Sequence, residues 1–277
     1  MMKVMVTGSD GYIGQGVVAE LLNKGCEVTA MGFTPCGIKH KNLKENLGDI
    51  FSYDFNSSEI PDMVLHLAWR NGFIHNDLSH LEDLPKHYLF LKAALNAGVN
   101  RVAVMGTMHE VGYHEGAVSE STPCNPTTLY GVAKNALRQM TKELCRQHDA
   151  QLQWLRGFYL VSNDGRGSSI FAKLVNSERE GKKEFPFTSG RCKYDFLPYD
   201  QFCQQVVAAV TQDKVDGVIN ICSGQPIALG EYIEHFISEN GFSIRLAYGK
   251  YPDRPYDSPA IWGDSTKIRQ ILKEVQD

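Results

Sequence analysis

The segment Thr7-Gly8-Ser9-Asp10-Gly11-Tyr12-Ile13-Gly14 constrains this chain more than any other, because of what stands on either side of it. Before it, Lys3-Val4-Met5-Val6-Thr7 is an apolar run that suits a buried strand. After it, residues 14–24 carry helical periodicity and end at Gly25, as a helix ends at a C-terminal glycine. Strand, glycine-spaced turn and helix in that order open a dinucleotide-binding fold. Gly8 permits the tight turn, Gly11 lets a pyrophosphate approach the backbone, and Gly14 allows close helix packing. The helix N-terminus then favours the anion.

The same alternation continues. Apolar runs at 28–31, 63–67, 102–105 and 152–155 read as further buried strands, and 84–97 and 127–148 read as helices between them. Strand and helix in strict alternation predict a doubly wound α/β Rossmann fold with a parallel sheet over residues 1–162. After residue 162 the rhythm breaks up: a glycine-rich loop, a helix at 170–179, the loop Phe187-Thr188-Ser189-Gly190-Arg191, and a helix at 201–210. Residues 163–277 are expected to form mainly a smaller substrate-binding lobe, interleaved with the first domain because 201–224, with its strand at 217–221, returns to it.

Composition narrows the partners. A net charge of -4 without a local run of Lys or Arg offers nothing to capture nucleic acid. No apolar stretch reaches the roughly 18 residues of a membrane span, and the N-terminal apolar run is too short for a signal peptide, so a cytoplasmic protein is expected. Seven cysteines without a CxxC pair suit reduced packing thiols, Cys124 included, and no metal site is expected.

The end of the second strand, where an acidic residue would bind the adenosine ribose, reads Met31-Gly32-Phe33-Thr34. Lys39, His40 and Lys41 follow and offer charge to a 2′-phosphate, so the sequence leans to NADP over NAD. Asp49-Ile50 suits an adenine, its carboxylate accepting from the amino group.

Tyr130 and Lys134 stand four residues apart on a predicted helix and project from one face. A phenol of pKa about 10 needs a neighbouring cation to act as acid or base near neutrality, and Lys134 supplies one. Thr107 ends the strand at 102–105 and places a hydroxyl at the carboxyl edge of the sheet, where α/β sites form.

The order Thr7–Gly14, His66-Leu67-Ala68-Trp69, Gly106-Thr107-Met108-His109-Glu110-Val111-Gly112 and Tyr130-Gly131-Val132-Ala133-Lys134 resembles the extended short-chain dehydrogenase/reductases, the NAD-dependent epimerase/dehydratase family. Leu155-Arg156-Gly157-Phe158-Tyr159, the run Tyr194–Asp200 and Asn220-Ile221-Cys222-Ser223-Gly224 extend the resemblance over nearly the whole chain. It implies a catalytic triad of Thr107, Tyr130 and Lys134. It places the dinucleotide against Gly8, Asp10, Gly11, Tyr12, Ile13, Gly14, Asp49, Ile50, Leu67, Ala68 and Trp69, with Tyr130 and Lys134. It assigns Trp69, His109, Lys173, Arg191 and Arg254 to a nucleotide-diphosphate sugar, Arg254 by bidentate contact with the diphosphate. A homodimer is a further expectation of the resemblance.

Departures select the reaction. Dehydratases of the family carry an aspartate and a glutamate after the catalytic threonine, where this chain has Met108 and His109; decarboxylases carry a glutamate there, which Glu110 would match after a one-residue shift. The whole pattern is most similar to reductases of dTDP-4-keto-6-deoxyhexoses, so NAD(P)H-dependent reduction of the 4-keto group is the expected activity. A nucleotide-sugar 4-epimerase, or a non-catalytic NAD(P)-binding sensor, are the alternatives.

Overall fold

The apolar runs become strands because both faces of the sheet they form are covered. The computed structural model describes residues 1–57, 59–167, 169–253 and 257–274. Its strands are β1 (Lys3–Thr7), β2 (Glu27–Gly32), β3 (Leu43–Leu47), β4 (Met63–His66), β5 (Arg101–Thr107), β6 (Gly116–Val118) and β7 (Gln151–Gly157), followed by β8 (Tyr159–Val161), β9 (Glu184–Pro186), β10 (Lys193–Pro198), β11 (Gly217–Ile221), β12 (Pro226–Ala228), β13 (Arg245–Ala247) and β14 (Ala260–Gly263). Its helices are α1 (Tyr12–Asn23), α2 (Ser79–Glu82), α3 (Leu84–Asn96), α4 (Leu129–Gln147), α5 (Ile170–Arg179), α6 (Tyr199–Val210), α7 (Leu229–Glu239) and α8 (Thr266–Glu274).

Seven strands form a parallel sheet in the order β11-β7-β5-β4-β1-β2-β3. On one face α1 and α6 pack Val17, Val18, Leu21, Val206 and Val207 against the strands, and on the other α3 and α4 bury Phe90, Leu91, Leu137 and Leu144. The chain leaves β1 toward β2 and β3, then returns to build β4, β5, β7 and β11 on the other side. Thr7 pairs with His66 in register, so the loops after β1 and β4 leave neighbouring strand ends at the point where the strand order reverses. That crevice is where open α/β sheets bind ligands.

One strand of this sheet was not expected from the sequence. β3 is Leu-Lys-Glu-Asn-Leu, polar and largely exposed, and it pairs with β2 at the sheet edge, where charged side chains discourage further pairing. It places Lys39–Lys41 immediately before Leu43, whose register partner is Val28 near the start of β2. Gly32, at the end of β2, lies four residues further on, or about 13 Å along the strand. The basic cluster therefore stands at the opposite edge of the sheet from the glycine loop.

A second sheet, β12-β10-β14-β6 with β8 beside β10, and a small β13-β9 pair complete the described chain. Asp195, fully buried in β10, accepts hydrogen bonds from Ser223 N, Ser223 Oγ, Gly224 N and Gly263 N. The Tyr194–Asp200 and Ser223-Gly224 motifs thus meet as a structural clasp joining the end of β11 to β10 and β14. None of the described helices is long and apolar enough to cross a membrane.

Candidate active site

The glycine loop closes against the loop after β4. Gly8 adopts φ +69°, and a Cβ there would stand 2.8 Å from the Ala68 Cα, so only glycine lets the two loops touch. Gly11 N donates to Gly8 O at 3.0 Å, and a Cβ on Gly14 would fall 2.0 Å from that same oxygen. Gly11 caps α1 without a side chain, and no acid occupies the first turn, which leaves the helix N-terminus open to an external anion. Thr7 Oγ1 accepts from Ala68 N, and Leu67 N donates to Thr7 O, fixing the segment that leads into Trp69. These features fit a dinucleotide pyrophosphate lying between Gly8–Gly14 and Leu67–Trp69.

The other residues assigned to the dinucleotide are placed as follows. Tyr12 begins α1, its ring 4.8 Å from the Tyr199 ring and also 4.8 Å from the Arg166 guanidinium. Ile13 packs on the core. Asp49 is exposed and caps a 3-10 turn by accepting from Phe51 N; Ile50 is buried, so its main chain is what it offers to a base.

Tyr130 lies in the first turn of α4, and the loop 71–78 together with the capping Thr128 satisfies the turn's free N–H groups. Tyr130 N donates to His75 O at 2.8 Å, Leu129 N to Asn76 Oδ1 at 3.1 Å, and Gly131 N to the capping Thr128 Oγ1 at 3.2 Å. Gly131 also lets α4 press on the turn after β5, since a Cβ there would stand 2.4 Å from His109 O. This close approach sets Tyr130 beside the end of β5, where the Thr107 hydroxyl acts on its phenol. Burial pushes the Tyr130 phenol up to about 12, and the Thr107 hydroxyl opposes that rise.

One turn later, Lys134 is 2% exposed. Its Nζ donates to Met105 O at 2.8 Å and stands 3.9 Å from the centre of the Trp69 ring. Burial pulls its pKa down to about 7, with Glu110 acting the other way. Trp69 stacks on His87 at 4.5 Å and donates its indole N–H to His80 Nδ1 at 3.0 Å. His80 Nε2 faces the Ile74 carbonyl at 3.0 Å and must donate to it, which fixes the neutral tautomer carrying its proton on Nε2. Beneath Trp69, Thr7 Oγ1, His66 and His87 form a chain of 2.8 Å hydrogen bonds.

His109 lies beside the site: its ring is 4.4 Å from His75 and 6.1 Å from Tyr130, and burial with the His75 neighbour drives its pKa down to about 4. Glu110 turns away from the opening and is fully buried. It accepts from Thr107 N at 2.7 Å and from the Trp154 indole, with the Arg156 and Arg138 guanidinium Nε atoms 3.6 and 3.7 Å away. Its carboxylate is engaged in holding the turn, a structural use that leaves Met108 and His109 as the residues following Thr107.

Thr107, Tyr130, Lys134, Trp69 and His109 are thus brought together. Lys173 is exposed on α5 and Arg191 is exposed in the loop before β10; among the described residues no hydrogen bond, ion pair or ring contact joins either to this cluster. Arg254 lies outside the described residues. The sequence reading missed His75 and His80, both against the Tyr130 ring at 5.7 and 5.2 Å. The signal was the density of histidine between 66 and 87, where four of the nine fall. It also missed Arg166, which reaches Gln15 Oε1 at 2.8 Å beside the glycine loop.

The chain is similar to known proteins along nearly its whole length. A dTDP-6-deoxy-L-talose 4-dehydrogenase (NAD(+)) of Aggregatibacter actinomycetemcomitans is 39% identical over 270 residues, covering 95% of this chain and 99% of that protein. Among solved structures, a UDP-glucuronic acid 4-epimerase of Bacillus cereus in complex with UDP-glucuronic acid and NAD superposes with a TM-score of 0.81 at 22% identity, over 98% of this chain and 93% of the other. A dTDP-glucose 4,6-dehydratase of Streptomyces venezuelae with NAD bound has a TM-score of 0.82 at 18% identity, over 97% and 90%. The pattern of the NAD dependent epimerase/dehydratase family matches residues 4–222, and the chain belongs to that family.

Proposed function

We propose that this protein reduces the 4-keto group of a dTDP-linked 6-deoxyhexose, with Thr107, Tyr130 and Lys134 as the catalytic residues. The observation that carries the reading is the gathering of Thr107, Tyr130 and Lys134 around Trp69 and the end of β5, in a chain 39% identical along nearly its full length to a protein named as a dTDP-6-deoxy-L-talose 4-dehydrogenase. A bound nicotinamide cofactor would supply the hydride. Everything else falls to side chains of this chain.

Tyr130, with its pKa held near 12, is fully protonated at neutral pH, which is the state required to give a proton to an alkoxide forming at the substrate oxygen. Thr107 is placed to hydrogen-bond the same oxygen and orient it. Lys134, one helical turn away, stabilises the phenolate left behind when its amine is protonated. Met108 and His109 take the positions where a dehydratase of the family needs two acids, and Glu110 is bound into the core, so the acid pair that elimination uses is not offered there.

A 4-epimerase uses the same trio, and relatives named as 4-epimerases at 20–22% identity keep that reading in view. Cofactor stoichiometry separates the two. With dTDP-4-keto-6-deoxyglucose and NADH or NADPH, one reduced dinucleotide should be consumed per sugar, and Tyr130→Phe should lower turnover by roughly 10²–10⁴ without changing dinucleotide affinity. Dinucleotide binding without net oxidation would sink the reductase reading and put the epimerase first.

A further inference from the structure

The end of β2 lacks the acid that a ribose needs, yet a carboxylate stands there. Asp10, in the glycine loop, reaches across to β2, and its Oδ2 accepts from Phe33 N at 3.0 Å, Thr34 N at 3.0 Å and Thr34 Oγ1 at 3.1 Å. A Cβ built on Gly32 would fall 2.5 Å from Asp10 Oδ1 and 2.6 Å from its Cγ. The Asp10 carboxyl therefore fills the space that a side chain at position 32 would occupy, and Gly32 is glycine to admit it. Ser9 N donates to Met31 O at 3.1 Å, so loop and strand end are tied together at the backbone as well.

We infer that Asp10 is the residue selecting NAD over NADP, its carboxylate delivered to the adenosine ribose from the glycine loop instead of from the end of β2. This inference rests on the dinucleotide-linked reading above. With Oδ2 held by three donors, Oδ1 is the oxygen left to accept from ribose hydroxyls, and a 2′-phosphate brought to the same place meets a negative charge that cannot swing away. Lys39 and Lys41 do not offset it, because they sit at the far edge of the sheet. Phe33, 74% exposed beside Asp10, presents an aromatic face where the adenine of the same nucleoside would follow.

The test is equilibrium titration of NADH and NADPH, read by calorimetry, into the full-length protein and two variants. The wild type should bind NADH roughly tenfold or more tighter than NADPH. Asp10→Asn, which keeps an oxygen acceptor for the Phe33 and Thr34 amides, should lose most of that preference. The double substitution Asp10→Ala with Gly32→Asp should restore it, since removing one side chain clears the space for the other. Equal affinities in the wild type, or a preference unchanged in Asp10→Asn, would overturn the role of Asp10 and leave the reductase reading standing. Binding of neither dinucleotide would overturn both.

Discussion

Replacing Lys134 with methionine should abolish catalysis and change how stability depends on pH, because the lysine is an ammonium group held where water cannot reach it. Its pKa falls from 10.5 to about 7, which corresponds to about 5 kcal/mol in favour of the neutral amine. In the unfolded chain the amine keeps its ordinary value, so between about pH 7 and pH 10 the unfolded state binds one proton more than the folded state and stability rises with pH. Below about 7 both states are protonated and the folded protein carries the full cost of the buried charge. Integrated from about pH 6 to pH 9, the wild type should gain about 3 kcal/mol relative to Lys134→Met, whose side chain does not titrate. Methionine has a similar length and packs against Trp69 without the ammonium, so the variant should be the more stable protein at about pH 6 despite losing the bond to Met105 O. Urea denaturation of both proteins at the two pH values, followed by far-UV circular dichroism, measures the difference. A wild-type-minus-variant difference that stays constant across that range would show that Lys134 does not titrate there, and the account of its burial would be wrong.

The same lysine should shape the kinetics: reductive kcat/KM, which reports the free enzyme, should be level below about pH 7 and decline above it as the ammonium beside Tyr130 is lost. A rise with pH in that direction of the reaction would contradict the assignment. Glu110→Gln should destabilise the fold by about 3–5 kcal/mol in urea titrations, because it leaves the Arg156 and Arg138 guanidinium groups facing a neutral amide in the core. A loss below about 1 kcal/mol would mean that the carboxylate is not the anchor of the turn. Gly131→Ala should push α4 away from His109 O and lower turnover at least tenfold while the protein remains folded by circular dichroism; unchanged turnover would show that the close approach is not what sets Thr107 against Tyr130.

What the sequence made legible were features with a short period or a fixed spacing. Buried parallel strands announce themselves as apolar runs, and Gly8, Gly11 and Gly14, or Tyr130 and Lys134, are separated by distances that one turn or one helix must reproduce. Features that depend on which strands become neighbours stayed hidden. β3 has no apolar pattern because an edge strand faces solvent, so the loop before it was read as lying near the ribose when the pairing with Val28 sends it to the far edge. The resemblance puts Asp10 against the dinucleotide, but nothing in the local sequence says that its side chain crosses to Gly32. Glu110 is open to a catalytic reading in the sequence because the Trp154 indole that holds it, together with Thr107 N, stands 44 residues away. The three-residue strands of the second sheet carry too few side chains to show a period.

Three histidines of this region are held neutral by their surroundings. His66 is driven far below its ordinary pKa by burial, by His87 and by Lys134; His87 falls to about 3 and His109 to about 4. At neutral pH these three rings are uncharged. They supply polar atoms and flat surfaces, as in the Thr7-His66-His87 chain and the His87-Trp69 stack, without adding a positive charge. An aliphatic residue at 66 would leave Thr7 Oγ1 only the Ala68 N–H, with nothing to take its hydroxyl proton or complete its bonding, and lysine or arginine would compete with Lys134 for whatever anion forms near Tyr130. Because the ammonium of Lys134 itself helps to keep His66 and His87 neutral, the charge on the lysine and the neutrality of the rings support each other. Among Lys134 and these three rings, the lysine is the group that changes charge near neutrality, so the stability of the fold and the rate of the proposed proton transfer should change over the same range of pH.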